Sequence, residues 1–246
     1  MKKLSLVIIT ITLVGVFPTL LGCTDEAAAA HEIRTMLPPN TTAFYEVENP
    51  GALVAGADGL IRSLGLETML NGMKLREVLE MSLQQTGLEW DDLDWNRRWG
   101  IAFSEIDPAA EHAEWTLLMP KPENPEGINQ LLQQKDLDFS SYEQNGYLIL
   151  TSRKPGWDAY QGPLLTVSTD IETDDRQTLF IDMNKLKEVN PELIDELDAE
   201  IGSGMFVETL NSASTADISM SIKNSNIYLN GGVQLREDSA AAKRYN

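Results

Sequence analysis

Residues Ala43–Val47 read AFYEV and residues Thr178–Met183 read TLFIDM. Each is a short run of aromatic and branched residues with an acid near its end, the pattern of a half-buried β-strand. Phe180 matches Phe44, and Asp182 matches Glu46. The segments after the two runs correspond as well. Asn49-Pro50 leads the first run toward a helical region. Asn190-Pro191-Glu192 starts a helix carrying Leu193, Ile194, Leu197 and Ile201, which Gly202 ends. A capping side chain and then proline make a helix start, because proline lacks the amide hydrogen that the first turn cannot use.

Outward from these two strands the same order recurs. In the first half Leu75, Val78, Leu79 and Leu83 share a helical face, closed by Gly87. Asp91 or Asp92 opens a short helical turn. Trp99, Ile101 and Phe103 alternate as a strand, and Glu114–Met119 (EWTLLM) is its hairpin partner across DPAAEHA. Asn124-Pro125-Glu126 starts a helix with Ile128, Leu131 and Leu132 on its apolar side. Gly146–Ser152 is one more strand, and KPGWDAYQGP after it is a loop. In the second half ADISMSIK places Ile218, Met220 and Ile222 on one side. NIYLNGGVQLR keeps Ile227, Leu229, Val233 and Leu235 in phase. The turn Asn224–Asn226 joins these two strands, and Asp238 or Ser239 caps AAAKRYN.

These elements predict an α+β fold, an antiparallel sheet with helices packed on one face. They also predict two related copies of a strand-helix-strand-strand-helix unit, over residues 35–160 and 161–246. The spacing between matching positions is not constant, so the first copy carries insertions. The second copy stops inside its last helix. The chain therefore reads as a fragment of a longer protein, or as one whose last strand position is filled by another segment.

The start of the chain has a different character. Lys2 and Lys3 precede an apolar stretch from Leu4 to Leu21. A basic head and apolar core are the layout of a secretory signal, and Thr10, Thr12, Gly15 and Pro18 make the stretch a poor permanent span. Leu20-Leu21-Gly22-Cys23 resembles the bacterial lipoprotein box, and Cys23 is the only cysteine in the chain. That resemblance implies a signal peptide over residues 1–22, cut before Cys23, whose thiol receives a diacylglycerol. Residues 23–34 then form the lipidated cysteine and its tether. Several acyl chains on one residue anchor far better than one. Thr24 stands where an Asp would resemble an inner-membrane retention signal. In a cell with two membranes this implies the outer membrane, facing the periplasm or the surface.

Losing the signal removes two lysines and no acids, which leaves 17 Lys+Arg against 38 Asp+Glu, a net charge of −21 (17 − 38). Such a balance argues against nucleic acid as a partner, and against adhesion to anionic lipid through the protein surface. Membrane attachment is expected through the lipid on Cys23. No cysteine remains for a disulfide, so an apolar core must hold the fold.

Leu37-Pro38-Pro39-Asn40-Thr41-Thr42-Ala43-Phe44-Tyr45, followed by Asn49-Pro50, resembles the opening of a bacterial envelope family of unknown function. Gly87-Leu88, Asp91-Asp92-Leu93 and Gly100-Ile101-Ala102-Phe103 resemble its acidic cluster and following strand. VQLREDSAAAKRYN resembles its strand running into a capped, Ala-rich helix. The resemblance covers nearly all of the chain after Cys23. It implies an envelope location and brings no catalytic residues.

EWDDLDWNRRW, Glu89–Trp99, holds three of the five tryptophans beside three aspartates. Trp90 and Trp95 are the candidate ligand-binding residues, because indole faces beside carboxylates suit sugar binding. Paired carboxylates also suit acid/base work on a glycosidic bond. The structural alternative is that Trp95 and Trp99 anchor a helical turn and strand while the acids cap the turn. DIETDDR, Asp170–Arg176, has alternating carboxylates but lacks the glycine and terminal glutamate of a calcium loop. His31 and His112 sit in no metal-ligand pattern, and no nucleophile elbow or phosphate loop occurs. No catalytic residue, metal or cofactor is expected. The leading expectation is a lipid-anchored envelope protein with a non-catalytic binding or interaction role and an envelope protein as partner. The alternatives are a solute- or glycan-binding lipoprotein and a carboxylate-dependent hydrolase.

Overall fold

The computed structural model describes residues 33–85, 87–107, 112–125, 127–128, 139–153, 157, 176–189, 208–209, 211–223, 226–239 and 242–245. The signal segment, Cys23, the helix expected from Asn190 to Gly202, most of the KPGWDAYQGP loop, Asp170–Asp175 and the tip of the last hairpin lie outside them.

Eight strands form one sheet. They are β1 (Thr41–Val47), β2 (Trp99–Asp107), β3 (His112–Pro120), β4 (Ser140–Gln144), β5 (Tyr147–Thr151), β6 (Gln177–Asp182), β7 (Ala213–Lys223) and β8 (Asn226–Leu235). The order is β4-β5-β3-β2-β1-β6-β7-β8, and every neighbouring pair is antiparallel. Helices α1 (Pro50–Ser63) and α2 (Leu75–Gln84) follow β1, α3 (Met183–Val189) follows β6, and α4 (Ala242–Tyr245) follows β8. The α+β class and the antiparallel sheet are those the alternation implied.

The two stretches that correspond in sequence meet at the centre. Phe44 lies directly opposite Phe180 in the β1–β6 register, and their rings stack at 6.2 Å. From this pair the sheet grows outward in the same order on both sides, β1-β2-β3 one way and β6-β7-β8 the other. Beyond β3 the first side continues with β5 and β4.

Alternation along each strand divides the core in two. On one face Phe44, Phe180, Ala102, Leu118, Tyr147 and Ile149 pack beneath a helical turn at residues 33–35 and the residues that follow it, with Ile33, Met36 and Leu37 buried. On the other face Met119, Leu148 and Leu150 pack with Leu88, Leu93 and Ile128, joined by half-buried Leu83 of α2 and by Trp95, Trp99 and Trp115. Further along this second face α3 packs Met183 and Leu186 against Ile181 and Ala216. Helices α2 and α3 thus share one face, as expected, while the turn from the N-terminal side covers the other.

Helix starts follow the residues that predicted them. Asn49 Oδ1 accepts from the Ala52 amide ahead of Pro50, and Asn124 Oδ1 accepts from the Gly127 amide. Of the two caps possible for α4, Ser239 takes the role: its Oγ accepts from the Ala242 amide.

Two features depart from the sequence expectations. Strand β4 was not foreseen, since SSYEQ lacks a repeating apolar side. Its signal was Asn145-Gly146, which takes positive φ at both positions (50° and 76°), as a two-residue hairpin turn requires. The second departure is on β7 and β8. On β7 the polar side is the buried one, with Asp217, Ser219 and Ser221 inside and Thr178 sharing a hydrogen bond with Ser219. The apolar side is open: Ile218 and Ile227 are 49% exposed and Leu229 is 70% exposed.

Gly100 shows how tightly the centre is packed. A Cβ there would lie 2.5 Å from the Phe44 ring. Replacing Gly100 with alanine is expected to lower the unfolding free energy by about 1–3 kcal/mol in urea titration, as overpacking does. Combining it with Phe44→Leu should cost less than the sum of the two single changes.

Candidate functional site

Trp90 and Trp95 are brought together by a single helical turn, Trp90–Asp92. Asp92 closes it, accepting from the Glu89 amide at 2.7 Å. The chain then folds back, so that Trp95 Nε1 donates to the Trp90 carbonyl at 2.8 Å and Trp99 Nε1 donates to the Asp94 carbonyl at 3.0 Å. The three indoles form a stack, with centroids 4.1 Å apart for Trp90–Trp95 and 5.0 Å for Trp95–Trp99, each pair within 17° of parallel. The Arg76 guanidinium lies over Trp90, 4.8 Å from its centroid.

This stack borders an open groove of about 950 Å³. Helix α1 forms one wall with Gly51, Val54, Asp58 and Arg62, and its start is pinned to the turn where the Gly51 amide donates to the Trp95 carbonyl at 2.8 Å. Arg76, Lys121 and Glu123 close the rim, beside Asp91, Asp92 and Asp94. The groove is therefore mixed in charge, and none of its carboxylates is buried.

The chemistry it offers is set by what its side chains already do. Sugar binding needs a free indole face. Trp95 has a ring on each side, and Trp90 lies between Trp95 and Arg76. Only indole edges and polar groups remain for a ligand. The acids have duties in the backbone as well: Asp58 accepts from the Leu75 amide, Asp92 from Glu89 and Asp94 from Asn96. The expected packing role of Trp95 and Trp99 and the capping role of the acids are both present. Trp157 does not join Trp90 and Trp95. It packs against the core on the other face, edge-on to Tyr142.

A second cluster, not foreseen from the sequence, is interior at its centre and half-buried at its ends, Arg34 and Arg176. Glu46 is 0% exposed and Arg98 is 5% exposed. Glu46 receives Arg34 at 2.7 Å and Arg98 at 3.1 Å, and Arg98 also reaches Glu48 at 3.3 Å. Arg176 closes the row on Glu48, with its Nε at 2.8 Å. Arg34 also lies over the Phe180 ring at 4.5 Å. The signal available in the sequence was the pair of acids, Glu46 and Glu48, on the same side of a strand as Phe44. Every carboxylate in this row is held by arginine, so neither acid is placed to take a proton from a substrate.

Among the described residues no group of three His, Cys, Asp or Glu side chains could hold a metal ion, and no helix is long and apolar enough to cross a membrane. Cys23 lies outside the described residues, and His112 lies in β3. No protein-family model, curated protein or solved structure matches the chain.

Two outcomes test this geometry. Arg76→Ala should uncover the outer face of Trp90, raise acrylamide quenching of tryptophan fluorescence, and change stability by no more than about 1 kcal/mol. Burial raises the Glu48 pKa above its ordinary 4.5, against the opposing pull of Arg176 and Arg98. The folded state then holds a proton the unfolded state has released. Stability contributed by Glu48 is thus lost as pH rises from about 4.3 through the raised value. Glu48→Gln lacks this loss, so urea titrations should show the variant gaining on the wild type as pH rises above the ordinary carboxylate range.

Proposed function

We propose that this chain is a lipid-anchored envelope protein that binds a partner protein and catalyses no reaction. The observation that carries the reading is the groove beside Trp90 and Trp95. It is open, mixed in charge and walled by side chains already engaged with one another. Arg62, Arg76 and Lys121 on one hand, and Asp91, Asp94 and Glu123 on the other, suit the alternating charges of an exposed polypeptide segment. A glycan-binding lipoprotein is the second reading, favoured by the three clustered indoles. It requires Arg76 to leave Trp90. A hydrolase would need two convergent carboxylates beside the groove with at least one withdrawn from water. The groove's acids are exposed or half-buried.

The lipid reading rests on the Leu20-Leu21-Gly22-Cys23 box and the basic, apolar start before it. A short tether would keep the groove near the membrane, where a membrane-bound partner is concentrated. The duplication reading, with copies over 35–160 and 161–246, is supported by the Phe44–Phe180 pairing and by the mirrored order of strands on either side of it.

A photo-crosslinking residue at Asn96, on the groove, should give one discrete protein adduct in the native envelope. Cys23→Ser, which removes the anchor, should abolish it. Absence of that adduct, together with oligosaccharide binding that Trp90→Ala removes, would transfer the function to the glycan reading.

A further inference from the structure

Strand β8 ends the sheet, and among the described residues nothing pairs with its outer side. Free edges invite pairing, and proteins guard them with charge, proline or short length. The opposite edge is guarded in this way. Strand β4 has five residues and carries Glu143, ion-paired with Lys121 at 2.8 Å. Strand β8 has ten residues, NIYLNGGVQL, with no charge and no proline. Five of the eight large apolar side chains exposed among the described residues lie on β7 and β8: Ile218, Ile227, Tyr228, Leu229 and Val233.

We propose that β8 pairs antiparallel with β8 of a second copy of this chain, about a two-fold axis through Gly231. An antiparallel pair sets residues of the same face opposite each other, so the register must keep odd positions against odd ones. Centring on Gly231 places Leu229 against Val233 of the second copy and Ile227 against its Leu235, each pair occurring twice. A centre at Asn230 sets Leu229 against a glycine. A centre at Gly232 sets Ile227 against the acid Glu237. Of these three, only the Gly231 register matches all four apolar positions without opposing a charge to any of them. Its middle pair is glycine on glycine, which allows close approach of the two backbones.

Charge explains why the contact falls here. The whole chain carries −19, so two copies repel each other across most of their surface. Strand β8 offers a ten-residue edge free of that repulsion. A closed two-fold contact uses the same patch on both copies and stops at two. The pairing rests on β8 alone and does not depend on the groove or on lipid at Cys23.

A side chain at Gly231 is tolerated within one copy, since its Cβ would meet only the Asp217 carbonyl, at 3.5 Å. Gly231→Lys therefore leaves the monomer folded and sets two like charges opposite each other on the axis. Sedimentation of the full-length chain carrying Cys23→Ser should show a dimer. Adding Gly231→Lys should weaken its association at least about 100-fold, while Leu64→Lys, at an exposed apolar position outside β7 and β8, should leave it unchanged. Gly231→Cys in the same Cys23→Ser chain should form an intermolecular disulfide on mild oxidation. Tyr228→Cys should not, because it faces Gln234 of the second copy. A Cys23→Ser chain that stays monomeric at roughly 100 µM, where even a weak specific contact would show, a dimer indifferent to Gly231→Lys, or failure of Gly231→Cys to cross-link would each overturn the proposal. Monomers that instead bind phosphatidylcholine vesicles, with Leu229→Lys abolishing the binding, would overturn it too and assign the patch to lipid.

Discussion

Glu46 sits near the end of β1, at a point that water does not reach. An isolated carboxylate there would be untenable, since an unpaired buried charge costs several kcal/mol. Its partners must therefore come from elsewhere, and each one fixes a different part of the molecule. Arg34 holds the turn that covers one face of the core. Arg98 is itself the residue just before β2. Through Glu48 the row reaches Arg176, just before β6. The two strands that flank β1 both begin directly after an arginine tied to Glu46 or Glu48. Packing of Phe44 on Phe180 then completes a centre that tolerates little change.

The strands were legible where alternation was strong. AFYEV and TLFIDM announced themselves, and their similarity anticipated a relation that exists in space as direct pairing. SSYEQ gave no such pattern because an edge strand at the rim need not bury a continuous apolar side; the Asn-Gly turn was the readable part. The ion-pair row could not be read, since its arginines join residues distant in the chain and pairing depends on topology. On β7 the period was clear, but period alone does not say which side faces inward. The serines and Asp217 took the inner side, against the usual preference.

The candidate site was partly legible in the same way. Proximity of Trp90 and Trp95 comes from a helical turn of the right length. That the indoles stack on one another, leaving no open platform, depends on two indole-to-carbonyl hydrogen bonds and on Arg76 arriving from a separate helix. Such contacts agree with the packing alternative for this aromatic and acidic cluster. The residues that look made to grip a ligand instead grip each other, and the groove beside them is left with polar walls.

The inside-out polarity of β7 has an energetic meaning. A strand pair showing leucine and isoleucine to water while sheltering serine is locally frustrated: the arrangement that suits the whole sheet is not the one these residues would choose alone. A shift of one residue would reverse the faces, and the hydrogen bond between Thr178 and Ser219 opposes it. In this hairpin the burial pattern and the polarity pattern of β7 therefore disagree. Placed at the end of the sheet with one side open to water, the hairpin has fewer buried contacts to hold it than the Phe44–Phe180 centre, and local opening is expected to begin there.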